Sequence, residues 1–261
     1  MRRRWRAALL AGALTVGLGW SAAAGRPLNV IRERGVLSLC AHANALPFSS
    51  KTQDPPGFQI ELGRALAAEL GVALTVEWVV SGLQFRAVDC DIVLDTIAVP
   101  EAQRERRLDL SRPYRRSGVG LAVRPDRLDV RRFDDLIGRR VAVQSRSLAA
   151  MLLAQRGVRL SSFGFEEEMV DAVAREEVDA AAVSPATVGY YNLRHPDAPV
   201  RFVHAYESEP ELRWDLAVGL RRADPALREA IDGALDRLAT AGTIEKIYAR
   251  YGIEYRPALT R

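Results

Sequence analysis

The stretch richest in reactive side chains is 95–114, DTIAVPEAQRERRLDLSRPY. It follows the apolar run CDIVL (90–94) and carries four arginines, Arg104, Arg106, Arg107 and Arg112, among four acids. Arginine grips a carboxylate or phosphate through two parallel N–H donors. The run therefore reads as one wall of an anion site, as a nucleic-acid patch, or as a solvated charged face, and charge alone does not choose. The two cysteines, Cys40 ending VLSLC and Cys90 opening CDIVL, are the other candidates. Neighbouring strands would bring them within bridging distance, and the alternative is a pair of buried thiols. The three histidines, His42, His195 and His204, show no ligand spacing with them, so no metal site is expected.

These groups need a compartment and a scaffold. MRRRWR, then AALLAGALTVGLGW, then SAAAG is the basic, apolar, small-residue order of a secretory signal peptide, with a cut after Ala24. The apolar part is too short and Gly-rich for a convincing span. Residues 1–24 hold Arg2, Arg3, Arg4 and Arg6 and no acid, so they account for the whole net charge of +4. The remainder is neutral overall, which argues against a nucleic-acid partner. Its 237 residues, 25–261, suffice for two lobes of ordinary size. The expected location is the periplasm, without stable membrane insertion after cleavage, and export favours the Cys40–Cys90 bridge.

Strand and helix patterns alternate along the rest. GVLSLCA (35–41), VALTVEWVV (72–80), CDIVLD (90–95), GVGLAVR (118–124), RRVAVQ (139–144), VRLSSF (158–163), VDAAAV (178–183), VRFVHA (200–205) and WDLAVGL (214–220) read as strands. GFQIELGRALAAELG (57–71), SLAAMLLAQRG, EEEMVDAVAREE (166–177) and SPATVGYYNLR read as helices, the last opened by Ser184 and Pro185. Asp224 and Pro225 start a C-terminal helix with Leu227, Ile231, Leu235 and Leu238 on one face, and TIEKIYARYG makes a last short one. The alternation predicts an α/β fold with mostly parallel sheets.

The order of segments resembles the bacterial family 3 solute-binding proteins, the periplasmic receptors of amino-acid ABC transporters. LSLCAHANALPFSS, PGFQIELGRALAAELG, LDLSRPYRRSGVGLAV, GRRVAVQSRS and LRRADPALREAIDGALDRLATAGTIEKIYARYG carry the resemblance, over about 28–256. It implies a two-lobe, type II periplasmic-binding-protein-like fold closing on a ligand by a hinge motion. Lobe 1 would span 25–117 plus 208–261, and lobe 2 would span 118–207. It implies ligand contacts at Asn44, Phe48, Thr96, Arg104, Ser145, Arg146, Ser147 and Ser184, with Arg104 as clamp on a carboxylate.

Several positions depart from the resembled pattern. Val99 stands where a hydroxyl is usual, Ala45 where an aromatic stacks on the ligand, and Ser184 where an acid holds the α-ammonium. A buried ammonium without a carboxylate is costly, so a small polar or anionic solute lacking an amine fits this pattern better. Ser184 before Pro185 is also a good helix cap. Cys40, Asn44, Leu46, Pro47, Phe48, Ser49, Cys90 and Asp91 are similar to the branch associated with quinoprotein (methanol) dehydrogenases. Three functions follow from the resemblance: a solute receptor serving an ABC permease, an accessory protein of a periplasmic quinoprotein dehydrogenase, and a dehydratase-like enzyme with Glu101 and His42 as acid–base candidates. No catalytic motif backs the last, so a non-enzymatic binding protein needing no cofactor is expected.

Overall fold

The computed structural model describes residues 26–79, 88–105, 107–221 and 224–259, so the expected leader lies outside the described residues. After a short helix α1 (Leu28–Arg34), strand β1 (Val36–His42) leads through the hairpin strands β2 (Asn44–Ala45) and β3 (Ser49–Ser50) to α2 (Phe58–Glu69) and β4 (Ala73–Val79). Strand β5 (Ile92–Ile97), helix α3 (Pro100–Glu105) and strands β6 (Leu108–Leu110) and β7 (Arg115–Gly118) follow. The second half runs β8 (Gly120–Val123), β9 (Arg140–Gln144), α4 (Leu148–Gln155), β10 (Arg159–Phe163), α5 (Glu166–Ala174), β11 (Ala180–Val183), α6 (Pro185–Arg194) and β12 (Arg201–Val203). Strand β13 (Arg213–Arg221) and helices α7 (Pro225–Thr240) and α8 (Thr243–Arg250) end it.

The strands form two main sheets, one per lobe. The first has the order β4-β1-β5-β13-β6 with β7 also on β13, and the second has the order β10-β9-β11-β8-β12. Strands β4, β1 and β5 are parallel, while β13 enters antiparallel between β5 and β6. The sheets are therefore mixed rather than mostly parallel.

Packing follows the side-chain period. In the second sheet Leu121, Val123, Val141, Val143, Ala180 and Ala182 face α4, while Ala122, Ala142, Ala181 and Val183 face α5 and α6. Alternate residues of one strand thus feed opposite layers. In the first lobe α2, α7 and α8 pack together over β1, β5 and β13, burying Phe58, Leu62, Leu66, Ile231, Leu235, Ile244 and Tyr248. Each such side chain contributes about 1.5–3 kcal/mol of transfer free energy. Cys40 and Cys90 form a disulfide with Cα atoms 5.5 Å apart.

Two segments join the lobes. The chain crosses from β7 to β8 and returns from β12 to β13, where Val119 N–H donates to Leu212 O at 2.9 Å. The tail after α8 lies across this junction: Arg116 N–H donates to Arg256 O at 2.9 Å, and Tyr255 Oη donates to Tyr114 O at 2.7 Å. Helix α6 of the second lobe sits on the same tail. Gly189 and Gly252 touch backbone to backbone, and a Cβ on Gly189 would lie 2.3 Å from Gly252 O.

His204 also belongs to this junction. Its Nε2 lies 3.2 Å from Glu254 and its Nδ1 2.9 Å from Tyr206 Oη, with Arg256 nearby. Burial, aided by Arg256, holds its pKa below the ordinary value of 6.5. The unfolded chain therefore takes up the proton first. Stability from this group is complete above about pH 6.5 and is lost as the pH falls toward the folded pKa. We expect Tm to fall between pH 7 and 5.5 and to fall less steeply in His204→Gln; equal slopes in a thermal-melt series would refute the assignment.

Candidate ligand-binding site

In open α/β sheets, ligands bind outside the carboxyl ends of the strands, and in two-domain proteins between the domains. The carboxyl end of β1 runs into Asn44–Phe48, β5 carries Asp95 and Thr96, β9 ends at Ser145–Ser147, and β11 ends at Ser184. Most expected contacts therefore fall on this edge. The first turn of α6 joins the two lobes there: Ala186 is buried in the core of the first lobe, and the Tyr190 and Tyr251 ring centroids are 6.4 Å apart.

Individual side chains are engaged as follows. Asn44 is exposed in the hairpin and pairs in register with Ser50. Phe48 packs on Phe58 with centroids 5.1 Å apart. Its carbonyl accepts from Gln59 N–H at 3.0 Å while Pro47 O accepts from Phe58 N–H at 2.9 Å, so the loop caps α2. Gly57 makes this close approach feasible: its φ is +101°, and a Cβ would lie 2.5 Å from Phe48 O. Thr96 is buried, and its Oγ1 donates to Val93 O at 3.3 Å.

Arg104 lies on the exposed side of α3, paired with Glu101 at 2.8 Å. Its neighbour Gln103 is buried instead; Nε2 donates to Ile97 O at 3.0 Å, while Oε1 has no hydrogen-bond partner. Arg112 pairs with Asp236 at 2.6 Å and Asp232 at 3.6 Å. Ser145 donates through N–H and Oγ to Phe163 O, each at 3.0 Å. Arg146 is exposed with φ +62°, and Ser147 caps α4 by accepting from Ala150 N–H at 3.1 Å. Ser184 caps α6, accepting from Thr187 N–H at 3.3 Å.

Two clusters on this edge escaped the sequence. In the first lobe Asp95, with φ +51°, accepts from Tyr114 Oη at 2.9 Å, Tyr248 Oη at 3.3 Å and Gln59 Nε2 at 2.8 Å. Arg115 Nη1 stands 3.8 Å from its Oδ1. The Arg115 guanidinium is buried, with its Cζ 4.5 Å from the Tyr248 ring centroid and 5.9 Å from that of Phe58. Its Nε and Nη1 make no hydrogen bond. Burial, and then the negative charge of Asp95, push the Tyr114 and Tyr248 hydroxyls well above their ordinary range. Both therefore stay protonated and donate.

In the second lobe the Glu166 carboxylate, at the start of α5, sits on the first turn of α6. Its Oε2 accepts from Ser184 Oγ at 2.7 Å and Thr187 Oγ1 at 2.5 Å, and the Ser184 N–H reaches both oxygens at 3.2 Å. A carboxylate thus stands beside Ser184, contributed from another helix. Among the described residues, no group of three or more His, Cys, Asp or Glu side chains is placed to hold a metal ion.

The profile of the bacterial extracellular solute-binding proteins, family 3, matches residues 37–254. The chain belongs to this family. An ancestral cationic amino-acid solute-binding protein (AncCDT-1) matches with a TM-score of 0.72 and 27% identity, over 86% of this chain and 99% of that one. The periplasmic binding protein XoxJ of Methylobacterium extorquens AM1 matches at TM-score 0.68 and 21% identity, over 86% of this chain and 100% of that one, and shows the shared two-lobe fold. A curated relative, the membrane-bound lytic murein transglycosylase F of Desulfosudis oleivorans, is 27% identical over 95% of this family 3 chain. The chain spans 56% of that relative's length. Among the described residues no helix is long and apolar enough to cross a membrane.

Proposed function

We propose that this family 3 protein is a periplasmic receptor that encloses a small polar solute between its lobes and delivers it to an ABC-type permease. The observation that carries the reading is the convergence at the lobe junction. Ala186, in the first turn of α6 after β11, is buried in the same cluster as Phe58, against which Phe48 of the loop after β1 packs. Such a junction can open and close as a hinge, with the solute binding the closed form better. The likeness to a cationic amino-acid solute-binding protein supports a small solute. The transglycosylase named among the relatives is a longer protein, and a binding role without catalysis or cofactor remains the reading here.

The test is thermal unfolding against amino acids, dicarboxylates, aromatic acids, sugars, alcohols and pyrroloquinoline quinone. A solute at 100 times its Kd adds about 2.7 kcal/mol, a Tm rise of roughly 5–10 °C for a chain of this length. Gly189→Ala, which drives a methyl group into the α6–tail contact, should weaken that solute's binding and enlarge the radius of gyration in small-angle scattering. A flat panel together with an unchanged radius would overturn the receptor reading.

The second reading, an accessory protein of a periplasmic quinoprotein dehydrogenase, is favoured by one observation. Arg104 and Glu101 turn outward on α3, with 69% and 76% of their side-chain surfaces exposed, so the charged run is available to a protein partner. Co-purification with the dehydrogenase that is lost in Arg104→Glu would support it.

A further inference from the structure

We propose that the second lobe carries an oxyanion site apart from the cleft, at the amino end of its sheet, where Arg140 and Arg159 together grip a small dianion such as phosphate, sulfate or a dicarboxylate. The inference goes beyond the solute-receptor reading and does not depend on it. Strand β9 runs from Arg140 to Gln144 toward the cleft edge, so Arg140 stands about 13 Å from that edge. Arg140 and Arg159 open the neighbouring parallel strands β9 and β10 and are partners in register, which sets their Cα atoms about 4.8 Å apart. Both line a cavity of about 360 Å³ with Leu160, Ser161 and Asp179. Ser161 lies two positions past Arg159, on the same strand face, and brings a hydroxyl donor. Both arginines are exposed, so an ion reaches them without any motion of the lobes.

The charges around the cavity lack a counter-ion. Residues 124–159 hold nine arginines against four aspartates, and all four aspartates already pair with other arginines of the segment. Among the described residues no ion pair includes Arg140 or Arg159. Arg159 Nη2 donates to Gly138 O at 2.5 Å, and its other N–H donors remain available. The one acid lining the cavity, Asp179, is engaged as well: Oδ2 accepts from the Arg140 N–H at 2.8 Å, and Oδ1 stands 3.6 Å from Arg127 Nη1. Like charges facing each other across neighbouring strands are destabilising. An oxyanion held between the two guanidinium forks turns that repulsion into charge-assisted hydrogen bonds, for which the planar fork is the matching geometry.

Two merely solvated arginines make a different forecast: dianions would act on this protein no differently from chloride. The experiment is calorimetric titration and thermal unfolding of the purified protein with phosphate, sulfate and succinate against chloride, at constant ionic strength. The wild type should bind at least one dianion with a Kd below about 1 mM and melt higher in it than in chloride. Arg140→Gln and Arg159→Gln should each weaken that binding by roughly 10-fold or more, against less than about twofold for Arg131→Gln, an arginine of the same segment that does not line the cavity. In chloride, Arg140→Gln should melt no lower than wild type, because it relieves the facing charges. Asp179→Asn should tighten the dianion, since it removes the negative charge from the cavity wall. If Arg159→Gln, which loses the bond to Gly138, fails to fold, Arg140→Gln decides. The inference is overturned if no dianion binds more tightly than chloride. It is equally overturned if Arg140→Gln leaves the binding unchanged, which would put the ion elsewhere, the cleft included. Neither result touches the receptor reading, whose solute binds at the other end of the strands.

Discussion

Arg115→Ala should lower stability by about 3–5 kcal/mol, because breaking a buried ion pair strands the remaining charge. Asp95 would keep only the neutral donors Tyr114, Tyr248 and Gln59, and the rings of Tyr248 and Phe58 would lose the cation packed over them. For a chain of this size that is a fall in Tm of roughly 6–20 °C. Arg115→Lys should recover little of it, since an ammonium cannot stack as the planar guanidinium does. Pairing Asp95→Asn with Arg115→Leu removes both charges and should be milder than Arg115→Ala alone. Chemical denaturation of these three variants and of the single Asp95→Asn and Arg115→Leu changes checks the scheme. Additive losses would show that the two residues do not act as a pair.

The second large effect belongs to the disulfide. Cys40 and Cys90 close a loop across a sequence separation of 50, and opening it frees the unfolded chain by about 4 kcal/mol in the loop-entropy account. Cys40→Ser with Cys90→Ser should therefore lower Tm by roughly 8–16 °C, and a reducing agent should do the same to the wild type. The second lobe holds no cysteine, so its hydrogen-exchange protection should change least. A double-serine protein melting within 2 °C of wild type would show that sheet packing around Val79, Val88 and Val93 already restrains that loop.

Sequence periodicity located every long element to within a few residues, because buried strands such as Val36–His42 and amphipathic helices such as Pro225–Thr240 repeat their apolar positions many times. It missed α1, α3, β2, β3, β6 and β7, which are short or charged, and β6 and β7 hold their shape through a strand far along the chain. Strand β6, for example, exists because β13 returns beside it. The expected contact positions at strand ends were legible as positions. What they do was not. Gln103 rather than Arg104 turns inward, and the charged run fixes no helical phase that would distinguish them. Nothing in the spacing of Glu166 and Ser184 announces their contact, because β10 and β11 are not neighbours but flank β9. Asp95 did leave a trace, as the single acid closing an apolar run, and Arg115 is a basic residue just before an apolar strand.

The position of β13 has a consequence for the order in which the protein can assemble. Strands β8–β12 are contiguous in sequence, so the second sheet can complete itself from one uninterrupted stretch. The first sheet cannot. Its interior strand is made last, between partners synthesised more than a hundred residues earlier, and α7, α8 and the tail that seal it come later still. A chain emerging amino end first therefore carries an open, unzipped first lobe until its final helices are released. Synthesis halted anywhere before β13 could leave a finished second lobe but never a finished first one.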